Sequence, residues 1–218
     1  MLNNTKNKGI QNEHEFVEYF NNRKVKELNP IAYDFIISLF SNINNNDIIT
    51  AIPRLEKGKT DFIIQINGIN KNISVKMGYS NSIHLEKLES FIDFLRKIKV
   101  DEDTIKKFVK FHYADGSNNN TGKKRISSEE YKKLYQKEID EINTVFNNKK
   151  ILLQATKYFL FDGKYNSNVD IIIHGTANDF FWLSKEEIYK IILEKSLHNK
   201  HGVGFGSFFC NQWNSMIS

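Results

Sequence analysis

Residues 60–76 read TDFIIQINGINKNISVK, with the pair Asn67-Gly68 set between two apolar, β-branched runs. Asn-Gly supplies the positive φ angles of a two-residue turn, so the stretch predicts a β-hairpin. Side chains alternate along a strand. On the outgoing strand Asp61, Ile63 and Gln65 share one face, and Phe62, Ile64 and Ile66 the other. On the return strand Asn70, Asn72, Ser74 and Lys76 oppose Ile69, Lys71, Ile73 and Val75. If Ile66 pairs with Ile69, each step back preserves the sum of the residue numbers. Asp61 then lies opposite Ser74, with Lys76 just beyond, and an acid and a base converge at the open end of the hairpin.

Upstream, residues 13–28 (EHEFVEYFNNRKVKEL) put Phe16, Tyr19, Phe20 and Val25 on one side of a predicted helix. A second helix is predicted over 32–40 after Pro30, and SNINNND (41–47) reads as a loop. Downstream, Leu85, Leu88, Phe91, Ile92 and Leu95 recur at helical spacing. Residues 101–114 continue helically after a short break, and 129–146 read as another amphipathic helix. ILLQATKYFLF (151–161) suits a core helix or strand, and 169–174 a strand. Ser184 with Glu187 forms a capping box before a helix. The tail HGVGFGSFFCNQW reads as strand and turn. Phe180, Phe181 and Trp182 read as core or helix-junction residues. These elements predict an α/β (mixed α+β) fold, without establishing strand order. They are expected to form a single compact domain over 1–218, with a half at 13–112 that holds the hairpin and a supporting half at 126–218. The loop DGSNNNTGKKR (115–125) lies between the halves.

The chain has 218 residues, 40% of them apolar and 17 of them Phe, which is enough for a sizeable core. Lys and Arg number 31 against 26 Asp and Glu, a net charge of +5 that permits an anionic partner without requiring one. One cysteine, Cys210, excludes an internal disulfide and a cysteine-pair zinc site. The polar N-terminal residues and the lack of ~18 consecutive apolar residues predict a soluble, cytoplasmic chain with no membrane partner. GVGFG lacks the strand-to-helix context and lysine of a phosphate loop.

An aspartate near a lysine at a strand end can hold a divalent cation and position a phosphate or a water. It can equally be a surface ion pair. Glu13 and Glu15 are the nearest upstream carboxylates, and an N-terminal helix packed on the hairpin could aim one of them at Asp61. Carboxylates, a carbonyl and waters suit Mg2+ better than zinc.

Residues 9–20 (GIQNEHEFVEYF), 57–91 (KGKTDFIIQINGINKNISVKMGYSNSIHLEKLESF), 113–125 and 161–173 (FDGKYNSNVDIII) together resemble the PD-(D/E)XK nuclease superfamily. The likeness is strongest to its small MspI-like type II restriction endonucleases, which cut four-base-pair sites, and it extends over about three quarters of the chain. The resemblance implies a restriction-endonuclease-like core with a central mixed sheet flanked by helices, 13–112 being the catalytic half and 126–218 the supporting, DNA-recognition half. It also implies Mg2+-dependent cleavage of double-stranded DNA, with Mn2+ as a substitute. The ends would be 5′-phosphate and 3′-hydroxyl. It implies that Asp61 binds the metal with the Val75 carbonyl, that Lys76 orients the attacking water, and that Glu13 supports the metal directly or through water. A separate cognate DNA methyltransferase is implied as well, and a homodimer is allowed. Ser74 stands where the superfamily usually has Asp or Glu, and Thr60 where it has proline.

Lys57, Lys59, Lys123, Lys124 and Arg125 are expected phosphate contacts. Asn81, Ser82 and His84 are expected beside the scissile phosphate. His174, His198 and His201 read as surface or DNA-contacting positions. Two other readings stay open: a repair or branched-DNA nuclease, and a non-catalytic DNA-binding protein with a degenerate metal site at Ser74.

Overall fold

A computed structural model of the chain describes all residues except 1–2, 78–83, 195–201, 211–215 and 218. In chain order the elements are α1 (Asn3–Phe20), β1 (Arg23–Lys24), a 3-10 turn (Val25–Glu27), α2 (Pro30–Leu39), β2 (Ile48–Pro53), β3 (Phe62–Ile66) and β4 (Ile69–Lys76). Next come β5 (His84–Leu85), α3 (Leu88–Lys97), α4 (Glu102–Tyr113), α5 (Ser128–Phe146), α6 (Lys149–Thr156) and a π turn (Lys157–Asp162). The chain continues through β6 (Ile171–Thr176), β7 (Asp179–Ser184), α7 (Lys185–Glu194), β8 (Gly204–Phe205), β9 (Phe208–Phe209) and β10 (Met216–Ile217). The fold is mixed α/β. Among the described residues no helix is long and apolar enough to cross a membrane.

The main sheet has six strands in the order β1-β2-β3-β4-β6-β7. Its centre is the hairpin: Asn67 and Gly68 take φ of 50° and 79°, and Ile66 pairs with Ile69 and Phe62 with Ile73, as the number-sum rule requires. All neighbours are antiparallel except β4 and β6, which run parallel with Val75 beside Ile173 and Lys76 beside His174. A parallel pair needs a crossover connection, and here it is the long segment that carries α3 to α6.

On α1, Asn12, Phe16 and Phe20 recur at four-residue spacing and are all buried. This stripe packs with Phe35 of α2 against Phe62, Ile64, Ile73, Val75, Ile173 and Phe180 of the sheet. α1 stops earlier than expected. Asn22 turns left-handed (φ 57°) and its N–H donates to Ile49 O, so Val25 belongs to the 3-10 turn rather than to α1, although it is buried. Leu85 likewise belongs to β5, not to the helix that follows. β2 and β7 were not expected, and Phe180, Phe181 and Trp182 lie in β7. Phe180 points to the core, whereas Phe181 is exposed, which corrects the reading of all three as core or junction residues.

The chain divides into two compact units, 1–80 with 160–188, and 81–159 with 189–218. These do not follow the expected halves 13–112 and 126–218, and the loop 115–125 lies inside the second unit. That unit has its own core of stacked and edge-on rings, including Phe91, Phe94, Phe108, Phe146, Phe159 and Phe205. Asn143 of α5 and Asn147, the residue that caps its end, hold the backbone at 202–206: their side-chain oxygens accept from Gly204 N and Gly206 N. The glycines of GVGFG thus serve a close backbone approach.

Candidate functional site at the open end of the hairpin

Asp61 immediately precedes β3, and its N–H donates to Ile73 O at 2.8 Å, which continues the hairpin pairing by one step. The carboxylate folds over the strand end. Its Oδ2 accepts from Val75 N at 2.6 Å and from the Ser74 hydroxyl at 3.1 Å. Lys76 turns back into the same cluster, where Nζ donates to Ser74 Oγ at 2.9 Å and to Val75 O at 3.3 Å. Ser74 is fully buried and links acid to base, donating to Asp61 while accepting from Lys76.

Burial pushes the Asp61 carboxyl above its ordinary range. The charge of Lys76, the bonds from Val75 and Ser74, and the charge of Lys59 oppose that rise. Glu13, half-buried, follows Asn12 on α1 and so sits beside the buried stripe rather than within it. Burial, then the negative charge of Asp61, push its carboxyl up to about 7, with Lys76 opposing. Asn12 helps to fix this part of α1, since its Nδ2 donates to Gly175 O at 2.9 Å. Glu15 is exposed and accepts from Gln11 Nε2. Of the two upstream carboxylates, Glu13 is therefore the one brought to the cluster.

Thr60 and Lys59 are anchored by Ser167. The Thr60 hydroxyl donates to Ser167 O at 3.0 Å, and Lys59 N donates to Ser167 Oγ at 2.6 Å. A Cβ on Gly58 would come within 2.4 Å of that same Oγ, so the approach requires glycine. Ser167 carried no signal of its own within the polar run YNSN. The Lys59 side chain crosses Gly163, and Lys57 is exposed.

The second unit holds the other expected cations. Asp115 organises their loop, accepting from Ser117 N, Ser117 Oγ and Gly122 N. Lys123 and Lys124 are exposed. Arg125 differs: its guanidinium donates to Tyr113 O and His112 O, the last carbonyls of α4. Asn81, Ser82, His198 and His201 lie outside the described residues. So does the His84 side chain, although its backbone pairs with Ile217. His174 lies beside Lys76 on β6 and stacks on Phe181.

The oxygen groups that could hold a cation at the cluster are the Asp61 carboxylate and the Val75 carbonyl, with Glu13 close enough to feel the Asp61 charge. Among the described residues no group of three or more His, Cys, Asp or Glu side chains is placed to hold a metal ion. A cation here would complete its shell with waters, which suits Mg2+ more than zinc. Two partly buried carboxylates whose affinity for protons is raised are chemically suited to a cation. A comparison with protein-family models finds no match, and neither does a comparison with curated proteins.

Proposed function

We propose that the protein is a Mg2+-dependent endonuclease that hydrolyses a phosphodiester within a short specific sequence of double-stranded DNA. In this reading it is a small type II restriction enzyme with a restriction-endonuclease-like core. One observation carries the proposal: Asp61, Ser74, Val75 and Lys76 form one hydrogen-bonded cluster at the open end of the hairpin, and Glu13 arrives beside it. The mixed sheet with α1 and α2 packed against it supports the same reading.

Asp61, the Val75 carbonyl and Glu13 are the residues to hold Mg2+, with Mn2+ as a substitute. When bound, the ion supplies charge neutralisation at the phosphate and acidifies a coordinated water. Lys76 is already held by Ser74, so its ammonium is positioned to orient the attacking water and to balance charge on the phosphorane. The Ser74 hydroxyl is a neutral stand-in for the usual carboxylate. It keeps Lys76 and Asp61 in register but adds no ligand charge. Lys57 and Lys59 lie next to Asp61 in sequence, and Lys123 and Lys124 are the exposed cations of the loop. Together they are the phosphate contacts in this proposal. Arg125 is assigned to capping α4 rather than to DNA.

A digest of a fully sequenced plasmid with Mg2+, mapped at base resolution, tests the proposal. Discrete 5′-phosphate ends at one short sequence are expected, with cleavage lost in Asp61→Ala and Lys76→Ala. Undiminished cutting by both variants would sink the assignment. The second reading, a DNA-binding protein without cleavage, is favoured by the neutral Ser74 alone. It predicts specific duplex binding and intact plasmid under every divalent ion.

A further inference from the structure

Three residues lie in register across the parallel and antiparallel pairings that run from the hairpin to the edge strand of the main sheet. Lys76 of β4 is opposite His174 of β6, and His174 is opposite Phe181 of β7. Residues in register share a face. Val75, Ile173 and Trp182 form the adjacent row, and these point to the core shared with α1 and α2. Lys76, His174 and Phe181 therefore lie on the opposite face, the one on which Ser74 meets Lys76.

Phe181 is 57% exposed, the only phenylalanine among the exposed large apolar side chains of the described residues, while its neighbour Phe180 is 6% exposed. Its ring is not loose: it lies against the imidazole of His174, with centroids 5.1 Å apart and planes 26° from parallel. One side of the ring is thus backed by an aromatic partner. Among the described residues β7 is the last strand of the sheet, so no further strand of it lies beside this ring. Adjacent strands lie about 4.8 Å apart, which places the Phe181 backbone about 10 Å from that of Lys76. That is about three stacked nucleotide steps along one DNA strand.

We propose that the His174–Phe181 pair is a stacking platform for a nucleobase of the strand being cut, a few nucleotides from the scissile phosphate. A base inside an intact duplex is stacked on both sides and presents no free face. The occupant is accordingly a base turned out of the stack or left unpaired. An exposed ring backed by a second ring binds any base through its π-face, and the cations of Lys76 and Lys59 favour the polyanionic strand over an apolar partner. The inference rests on the nuclease reading, because Lys76 supplies the reference point for the phosphate.

The test uses the full chain in EDTA, with fluorescein-labelled oligonucleotide duplexes that are either fully paired or carry one mismatched base at successive positions. The wild type should bind the mismatched duplex about tenfold more tightly at the best position. Phe181→Ala should erase that preference and Phe181→Tyr should keep it, with far-UV circular dichroism unchanged in both. The platform is overturned if Phe181→Ala retains the full preference, or if the substitution changes the oligomeric state instead. Cleavage with Mg2+, compared between wild type and Asp61→Ala, is scored separately. Cutting that depends on Asp61, with a preference that does not depend on Phe181, removes the platform and leaves the nuclease. A preference that depends on Phe181 in a chain that cuts nothing removes the nuclease and leaves a base-binding surface.

Discussion

At the scale of single residues, the site turns on how two partly buried carboxylates interact with one ammonium. Asp61 and Glu13 both hold their protons more tightly than free side chains do, and in both cases burial is the first cause. For Glu13 the ordinary value of 4.5 becomes about 7 in the folded chain. A raised folded value means that folding favours the protonated form. Its contribution to stability is full below pH 4.5 and is lost as pH rises through about 7. The raised Asp61 acts in the same direction. Metal-free thermal melts between pH 5 and pH 8 should therefore show a falling midpoint, and Glu13→Gln, which cannot ionise, should flatten much of the fall. An identical slope in wild type and variant would remove Glu13 from the cluster. In the Mg2+ reading, added Mg2+ should raise the midpoint most at the upper end of this range, where the carboxylates are charged. Asp61 and Lys76 were legible from the hairpin arithmetic alone. Glu13 needed a helix to bring it there, and Ser167 was invisible because its role depends on a contact more than a hundred residues away in sequence.

At the scale of elements, the hairpin was legible because turn chemistry and alternation agree over one short, local stretch. The neighbouring strands gave no such agreement. β7 carries Phe180, Phe181 and Trp182 in succession, so its polarity does not alternate even where its burial does, over Asp179–Phe181. β2 has the same fault, its run IITAIP being apolar on both faces with Ile48 and Ile52 exposed. The hairpin also separates folding from chemistry. Its turn lies at the opposite end from Asp61, and a Cβ on Gly68 would touch nothing within 4 Å, so the only cost of Gly68→Ala is the positive φ of 79°. About 1–2 kcal/mol of stability should be lost, since an L-residue in the left-handed region carries that strain. Urea unfolding should show a lower midpoint with an unchanged slope. In the nuclease reading, cleavage at low temperature should remain at the wild-type rate. A loss of cleavage without a loss of stability would mean that the turn itself touches the substrate.

At the scale of the whole chain, the path matters more than the composition. The first unit is closed by residues 160–188, which supply Ser167, β6 and β7 after the chain has passed through the second unit. Turn formers concentrated at 115–125 suggested a boundary there, yet Asp115 gathers that loop with side-chain and backbone bonds and keeps it within the second unit. Sequence composition detects where a chain can turn, but a boundary depends on which segments return to complete a core. The same distinction applies to the net charge of +5, which is small enough that local placement decides what it does. Lys123 and Lys124 are exposed, while the neighbouring Arg125 is engaged by carbonyls of α4. If both lysines contact phosphates, each releases counterions on binding, and the slope of log K against log salt changes by about 0.9 per contact on B-form DNA. Replacing both with alanine should reduce the magnitude of that slope by about 1.8, and should weaken binding to cognate and unrelated duplexes alike, because phosphate contacts carry no sequence information. Fluorescence anisotropy titrations across a salt series in EDTA measure this directly. An unchanged slope would place both lysines away from DNA and leave the loop as a structural feature of the second unit.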